Sequence, residues 1–145
     1  MVLTPPQPEL PAPRSFTILI ADDDRGNRDA LADILRHHGF EPVLAKDGGE
    51  AVEIVQVTLI HLVLIDMHMP KLTGLEAVQV VRQINALLPA ILMTADATRE
   101  LMKQAHQAQV FSVIPKPVNV NVVLHTLTRA LTQTYKPTPP PKENR

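Results

Sequence analysis

Apolar residues along this chain follow two alternating rhythms. Short, mainly apolar runs occur at Phe16–Ala21, Phe40–Ala45, Leu62–Ile65, Ala90–Met93 and Val110–Ile114. Each has β-branched or aromatic members and is closed by turn-forming or polar residues, which predicts buried strands. Pro42 assigns the second strand to a sheet edge, because proline cannot donate a ladder hydrogen bond. Between the runs the period becomes that of a helix. The first helix is predicted from Arg25 to His38, capped by Asp24 and ended by Gly39, with Leu31, Ile34, Leu35 and His38 on one face. Asp47-Gly48-Gly49 opens a second helix to about Thr58, with Ala51, Ile54 and Val55 inward. Thr73 to Asn85 forms a third, with Leu75, Val78, Val81 and Ile84 as core contacts; Pro89 then opens the fourth strand. A short polar helix, Thr98 to Ala108, offers Leu101, Met102 and Ala105, and the last, Val118 to Gln133, offers Val120, Val123, Leu124, Leu127 and Leu131. Strands alternating with helices place the chain in the α/β class, with a parallel sheet and right-handed crossovers.

Composition narrows this to one domain. The chain has 145 residues, 45% of them hydrophobic, with no Trp and only 3% aromatic, so its core is aliphatic. Nine of the 14 prolines lie in Pro5–Pro13 and Pro137–Pro141, so residues 1–14 and 136–145 read as Pro-rich disordered tails around a folded 15–135. A net charge of −1 argues against a direct nucleic-acid-binding face. The absence of cysteine suits a reducing cytosol. No apolar run reaches the roughly 18 residues of a membrane span, and Met1–Arg14 has no apolar signal core. A soluble, cytoplasmic protein without membrane contact is expected.

The strand ends carry the candidate chemistry. Leu62–Ile65 runs into Asp66, and Pro70 breaks the chain soon after. Open α/β sheets place ligands at this edge, although Asp66 taken alone fits a turn cap equally well. Three further strands end the same way: the first in Asp22, Asp23 and Asp24, the fourth in Thr94, the fifth in Pro115, Lys116 and Pro117. Several carboxylates, a hydroxyl and an ammonium thus converge on what one sheet edge can hold.

Over roughly Thr17 to Gln133 the chain resembles the receiver domains of two-component response regulators in their stand-alone, CheY-like form. The resemblance rests on the strand-Asp-x-x-Met-Pro-x-x-x-Gly pattern of Asp66, Met69, Pro70 and Gly74, joined to an upstream acidic pair and a downstream Lys-Pro. It implies a single (βα)5 doubly wound sheet of five parallel strands in the order 2-1-3-4-5. It further implies that Asp66 is the phosphoacceptor, with Thr94 bonding the phosphoryl group and Lys116 pairing with it. Mg2+ would be held by Asp23, Asp66 and the backbone carbonyl of His68, with Asp22 acting through a metal-bound water. The Lys116–Pro117 peptide is cis in that family. Its partners would be a histidine kinase or histidine phosphotransfer protein and a downstream protein target whose identity the sequence does not give. Such a protein catalyses only its own phosphorylation and dephosphorylation and is not an enzyme in the ordinary sense.

By the same resemblance the side chains of His68 and Asp96 border the phosphoryl group and modulate its lifetime, an imidazole facing a carboxylate. Departures are also visible. Val113 stands where the family usually has an aromatic switch residue. The expectation is an altered output switch; the alternative is that Phe111, two positions earlier and on the same strand face by alternation, substitutes for it. The usual glycine before this strand is replaced by Gln107-Ala108-Gln109. His37 and His38 suit a helix C-terminus, while His61, His106 and His125 show no ligand spacing. The competing readings are a pseudo-receiver that binds partners without phosphorylation and a haloacid-dehalogenase-type phosphatase. The phosphatase wants a second Asp where His68 stands. A DNA-binding regulator would need an output domain, which the ten-residue tail is not expected to supply.

Overall fold

The computed structural model describes residues 16–136. Five parallel strands, β1 (Thr17–Ala21), β2 (Glu41–Ala45), β3 (Leu62–Asp66), β4 (Ala90–Thr94) and β5 (Ser112–Pro115), alternate with helices. The helices are α1 (Arg25–His37), α2 (Gly48–Val57), α3 (Gly74–Ile84), α4 (Arg99–Gln107) and α5 (Val120–Thr134). The sheet order is β2-β1-β3-β4-β5, as the resemblance implied. Pro42 does lie on the edge strand, paired in register with Ile18.

Alternation along the strands divides the core into two layers. Ile18, Ile20, Leu62, Leu64, Ile91 and Met93 pack against Leu31 and Leu35 of α1 and Val123, Leu127 and Leu131 of α5. Leu19, Ala21, Val63, Ile65 and Leu92 face the other way, onto Ala51 of α2, Val78 and Val81 of α3, and Leu101 and Ala105 of α4. Burying both sheet faces is why the central strands are near-continuous apolar runs. Helix starts are set by the expected chemistry. Asp24 accepts from the Asn27 N–H at 2.9 Å and Asp47 from the Glu50 N–H at 2.8 Å. Thr73 and Glu76 form a reciprocal capping box.

Several expected core positions are instead open to solvent. Ile84 and Val120 are each 41% exposed, because they lie in terminal turns that overhang the sheet. Met102 is 45% exposed, one step around α4 from the buried Leu101. His38 is exposed and is the C-cap of α1, its Nδ1–H donating to the Ile34 carbonyl at 2.9 Å. Gly39 follows with φ 89°. The shared face expected for Phe111 and Val113 is also corrected. Val113 packs on the α2–α4 layer, whereas Phe111 packs on the α1–α5 layer beneath Arg129. Phe111 lies just before the assigned strand; its N–H still donates to the Ala90 carbonyl at 2.8 Å, but its side chain does not keep the alternation of Val113 and Ile114. The Pro-rich ends lie outside the described residues, Lys136 apart.

The missing glycine before β5 has a visible cost. Gln109 adopts φ 59°, a left-handed backbone that glycine takes without penalty, while its side chain accepts from Arg82 at 3.2 Å. A non-glycine residue in this region costs about 1–2 kcal/mol, offset in part by the added freedom of an unfolded glycine. Gln109→Gly is therefore expected to raise the melting temperature by about 2 °C. A lower melting temperature would show that the Arg82 contact outweighs the backbone strain.

Candidate functional site

The C-terminal ends of four strands deliver the side chains that the sequence singled out. Asp66 and Thr94 are the last residues of β3 and β4; Asp22 follows β1 and Lys116 follows β5. The ladder continues through these positions. The Met67 N–H donates to the Met93 carbonyl at 2.7 Å and the Lys116 N–H to the Thr94 carbonyl at 2.8 Å, so the sheet itself fixes their spacing. The segment after Asp66 explains the motif. Met69 is buried, Pro70 accepts from the Leu72 N–H at 2.9 Å, and the chain returns so that the Gly74 N–H reaches the Met67 carbonyl at 2.8 Å. A β-carbon at Gly74 would stand 2.3 Å from the Asp66 carbonyl oxygen, a backbone atom, so only glycine fits there. The spacing between Asp66 and Gly74 is thus the length of one turn that folds α3 back onto the strand end.

Lys116 is the centre of the polar arrangement. Its Nζ lies 3.2 Å from Asp66 Oδ2 and 3.4 Å from Asp22 Oδ2. Asp22 is only 1% exposed and Asp66 only 4%. Asp22 also accepts from the Asp24 N–H at 2.9 Å, and its carbonyl accepts from Arg28 Nη1 at 2.6 Å. Burial pushes the Asp22 carboxyl above its ordinary 3.8 and repulsion from Asp66 adds to this, while the Asp24 N–H and the Lys116 ammonium oppose it. Burial alone would lower the Lys116 ammonium; its hydrogen bond and charge attraction to Asp66, and then to Asp22, win and raise it above 10.5.

Asp22, Asp23 and Asp66 each offer an oxygen within 4.8 Å of the other two. Asp23 is exposed, so solvent reaches the cluster from one side. Hard oxygen donors that are few in number and open to water are the donor set that Mg2+ prefers, and this cluster fits it. Thr94 is fully buried, and its Oγ1 accepts from the Asp96 N–H at 3.1 Å. The His68 N–H points to Asp66 Oδ1 at 3.3 Å, and His68 Nε2 lies 3.4 Å from Thr94 Oγ1. The imidazole thus meets the threonine hydroxyl, and among the described residues no ion pair joins His68 to Asp96. Sequence reading expected the carboxylate as its partner; both side chains are exposed, and only the Asp96 backbone turns inward. It also missed Arg28, whose place four residues after the Asp24 cap brings it back over the strand end. The Lys116–Pro117 peptide is cis.

A flavodoxin-like sheet with an acidic pocket and one ammonium at its switch edge defines the class. The sequence profile of the response regulator receiver domain matches residues 18–128. The chain is 36% identical over 111 residues to the sensor histidine kinase RcsC of Escherichia coli K12, covering 77% of this chain but 12% of that protein. It is also 36% identical over 106 residues to a response regulator receiver protein of Anaeromyxobacter sp., covering 73% of this chain and 44% of the relative. This chain therefore spans under half the length of either relative. In structure it is similar to a CheY-like response regulator receiver domain protein from Methanospirillum hungatei. The TM-score is 0.81 at 27% identity, covering 83% of this chain and 97% of that one. The chain belongs to the response regulator receiver domain family.

Three carboxylates facing one ammonium leave the metal-free pocket with excess negative charge. Among the described residues Asp23 is the member without an ammonium partner, and its exposure reduces the repulsion it feels to about 1 kcal/mol. Asp23→Asn is expected to raise the melting temperature in EDTA by a few degrees and to lose most of the further rise that Mg2+ gives the unmodified chain. Four melts test this. A lower value for Asp23→Asn in EDTA, or no Mg2+ effect on either protein, would contradict the charge account.

Proposed function

We propose that the chain is a phosphoacceptor that takes a phosphoryl group on Asp66 from a histidine kinase or histidine phosphotransfer protein. It then signals by changing its affinity for a downstream protein. The observation that carries this reading is the Lys116 ammonium held 3.2 Å from the Asp66 carboxylate at the mouth of an otherwise acidic pocket. A carboxylate oxygen of Asp66 attacks phosphorus, the bond from phosphorus to the donor nitrogen breaks, and an acyl phosphate results. Such transfer asks mainly for positioning and charge neutralisation. Lys116 is placed to follow the incoming oxygens, and Thr94 has a hydroxyl proton to donate to them. Asp23, Asp66 and the His68 carbonyl would hold Mg2+, with Asp22 acting through its water. The bound ion supplies positive charge to the phosphoryl oxygens.

Access for a protein donor is supported by a groove of about 380 Å3 beside the pocket. Asn27, Ala30 and Ile34 of α1 form one wall, Pro117, Val118 and Val120 the other, and Asp22 and Lys116 lie at its floor. Val120 in its wall is an exposed apolar side chain, which suits a helical donor that presents a phosphohistidine between apolar side chains. Among the described residues no helix is long and apolar enough to cross a membrane. A second reading, partner binding without phosphorylation, draws on one observation: Val113 places an aliphatic side chain where a rotating aromatic would report the switch.

Incubation with Mg2+ and acetyl phosphate, followed by intact mass, separates the two readings. A gain of one phosphoryl group that disappears in Asp66→Asn is expected; no gain in the unmodified protein would favour the pseudo-receiver. His68 stands between Thr94 and solvent, so His68→Ala is expected to shorten the acyl-phosphate lifetime roughly two- to five-fold, with Mg2+ affinity nearly unchanged. Equal lifetimes would make His68 a solvated rim residue.

A further inference from the structure

The end of the sheet opposite the carboxylates holds a side-chain knot that the proposed function leaves unused. His61 precedes β3 and is half-buried. Its backbone N–H donates to the Thr17 carbonyl at 2.9 Å, and the Thr17 N–H donates to its Nδ1 at 2.9 Å. The β1–β3 pairing, which starts at Ile18 and Leu62, is thus extended by one residue with a ring nitrogen in place of a carbonyl. Phe16 stands edge-on to the imidazole with centroids 5.2 Å apart, and Tyr135 does the same at 5.4 Å. The Tyr135 hydroxyl donates to the His61 carbonyl at 2.7 Å. The start of β1, the head of the central strand and the end of α5 therefore meet on one imidazole.

This geometry dictates a protonation state. A backbone N–H only donates, so Nδ1 must offer its lone pair and the ring proton sits on Nε2. An imidazolium carries hydrogen on both nitrogens and would set an N–H against the Thr17 N–H. Among the described residues no charged group compensates. From β1 the ring faces Phe16 and Thr17, neither of which ionises, and from α5 it faces the Tyr135 phenol, whose pKa burial raises. Glu41 of β2, in register with Thr17, and Lys136, after Tyr135, are both exposed. Among the described residues no ion pair includes His61. Burial alone lowers its pKa below the ordinary 6.5.

We propose that His61 is an acid-sensitive latch: neutral, it ties β1 and the end of α5 to the head of β3, and protonated, it lets them go. The neutral ring favours the folded chain, so its contribution is fully present above the unfolded value of 6.5 and is lost as pH falls through the lower folded value. Release loosens the last turn of α5 and the first pair of β1 while leaving the Asp66 edge, at the other end of the strands, in place. Acidification would then act on α5 through a route separate from phosphorylation.

The test follows the Thr17 amide by hydrogen exchange, corrected for intrinsic rates, across the ring's own titration as read from imidazole nitrogen shifts in the same full-length samples. Protection of Thr17 is expected to fall several-fold as pH drops from 6.5 through the midpoint of the ring. His61→Asn offers Oδ1 where Nδ1 stood and does not titrate, so its Thr17 protection is expected to stay constant over that range. Protection unchanged while the ring protonates, or an equal fall in His61→Asn, would overturn the latch. If the variant folds poorly, the unmodified protein still decides. A ring carrying its neutral proton on Nδ1, or titrating at or above 6.5, would also overturn it.

Discussion

The structure of this domain depends on one ammonium placed between two buried carboxylates. Asp22 and Asp66 end adjacent strands, and burying two like charges at such spacing is unfavourable without a counter-charge. Lys116 reaches both, from beyond β4, and removing one partner of such a buried arrangement typically costs about 3–5 kcal/mol. The sheet order makes this possible. With β3 central, β1 and β4 bring Asp22 and Thr94 to either side of Asp66, and β5 supplies Lys116 from beyond Thr94. The chain therefore uses a parallel sheet to bring together groups that are distant in sequence.

The loop after β3 serves the same end. Its turn, its buried Met69 and the steric demand at Gly74 bring the start of α3 against the Asp66 backbone. The strand end then has little freedom to retreat from Lys116. The exposed members behave differently. Asp23 and His68 stand at the mouth, where water, a cation or a phosphoryl group can replace their contacts, so rigid and exchangeable parts of the site are distinct.

Much of this was legible in the sequence, and for physical reasons. Apolar runs ending in charged residues locate strands and edge chemistry together, because both sheet faces are covered and only the strand ends meet solvent. Asp22, Asp66, Thr94 and Lys116 were found this way. What pattern did not give was contact across elements. His68 was matched with Asp96 on sequence position, but the imidazole sits against Thr94. Phe111 was placed on the face of Val113 by alternation, which fails at the entry to the strand, where the backbone bond to Ala90 is made but the side chain turns to the other layer. Val120, Ile84 and Met102 obey helical periodicity yet are exposed, since periodicity does not say how far a helix overhangs the sheet. His61 was set aside for lacking ligand spacing, and its bond to Thr17 has no sequence signature at 44 residues' separation.

Asp22 is kept charged in a buried pocket chiefly against its own desolvation, with Lys116 as the compensating charge. Carbon-13 titration of the Asp22 side-chain carboxyl, in metal-free protein and in Lys116→Met, measures this directly. A midpoint above 3.8 in the unmodified chain and a further rise when the ammonium is removed are expected. A midpoint at or below 3.8, or one that does not move in Lys116→Met, would contradict it.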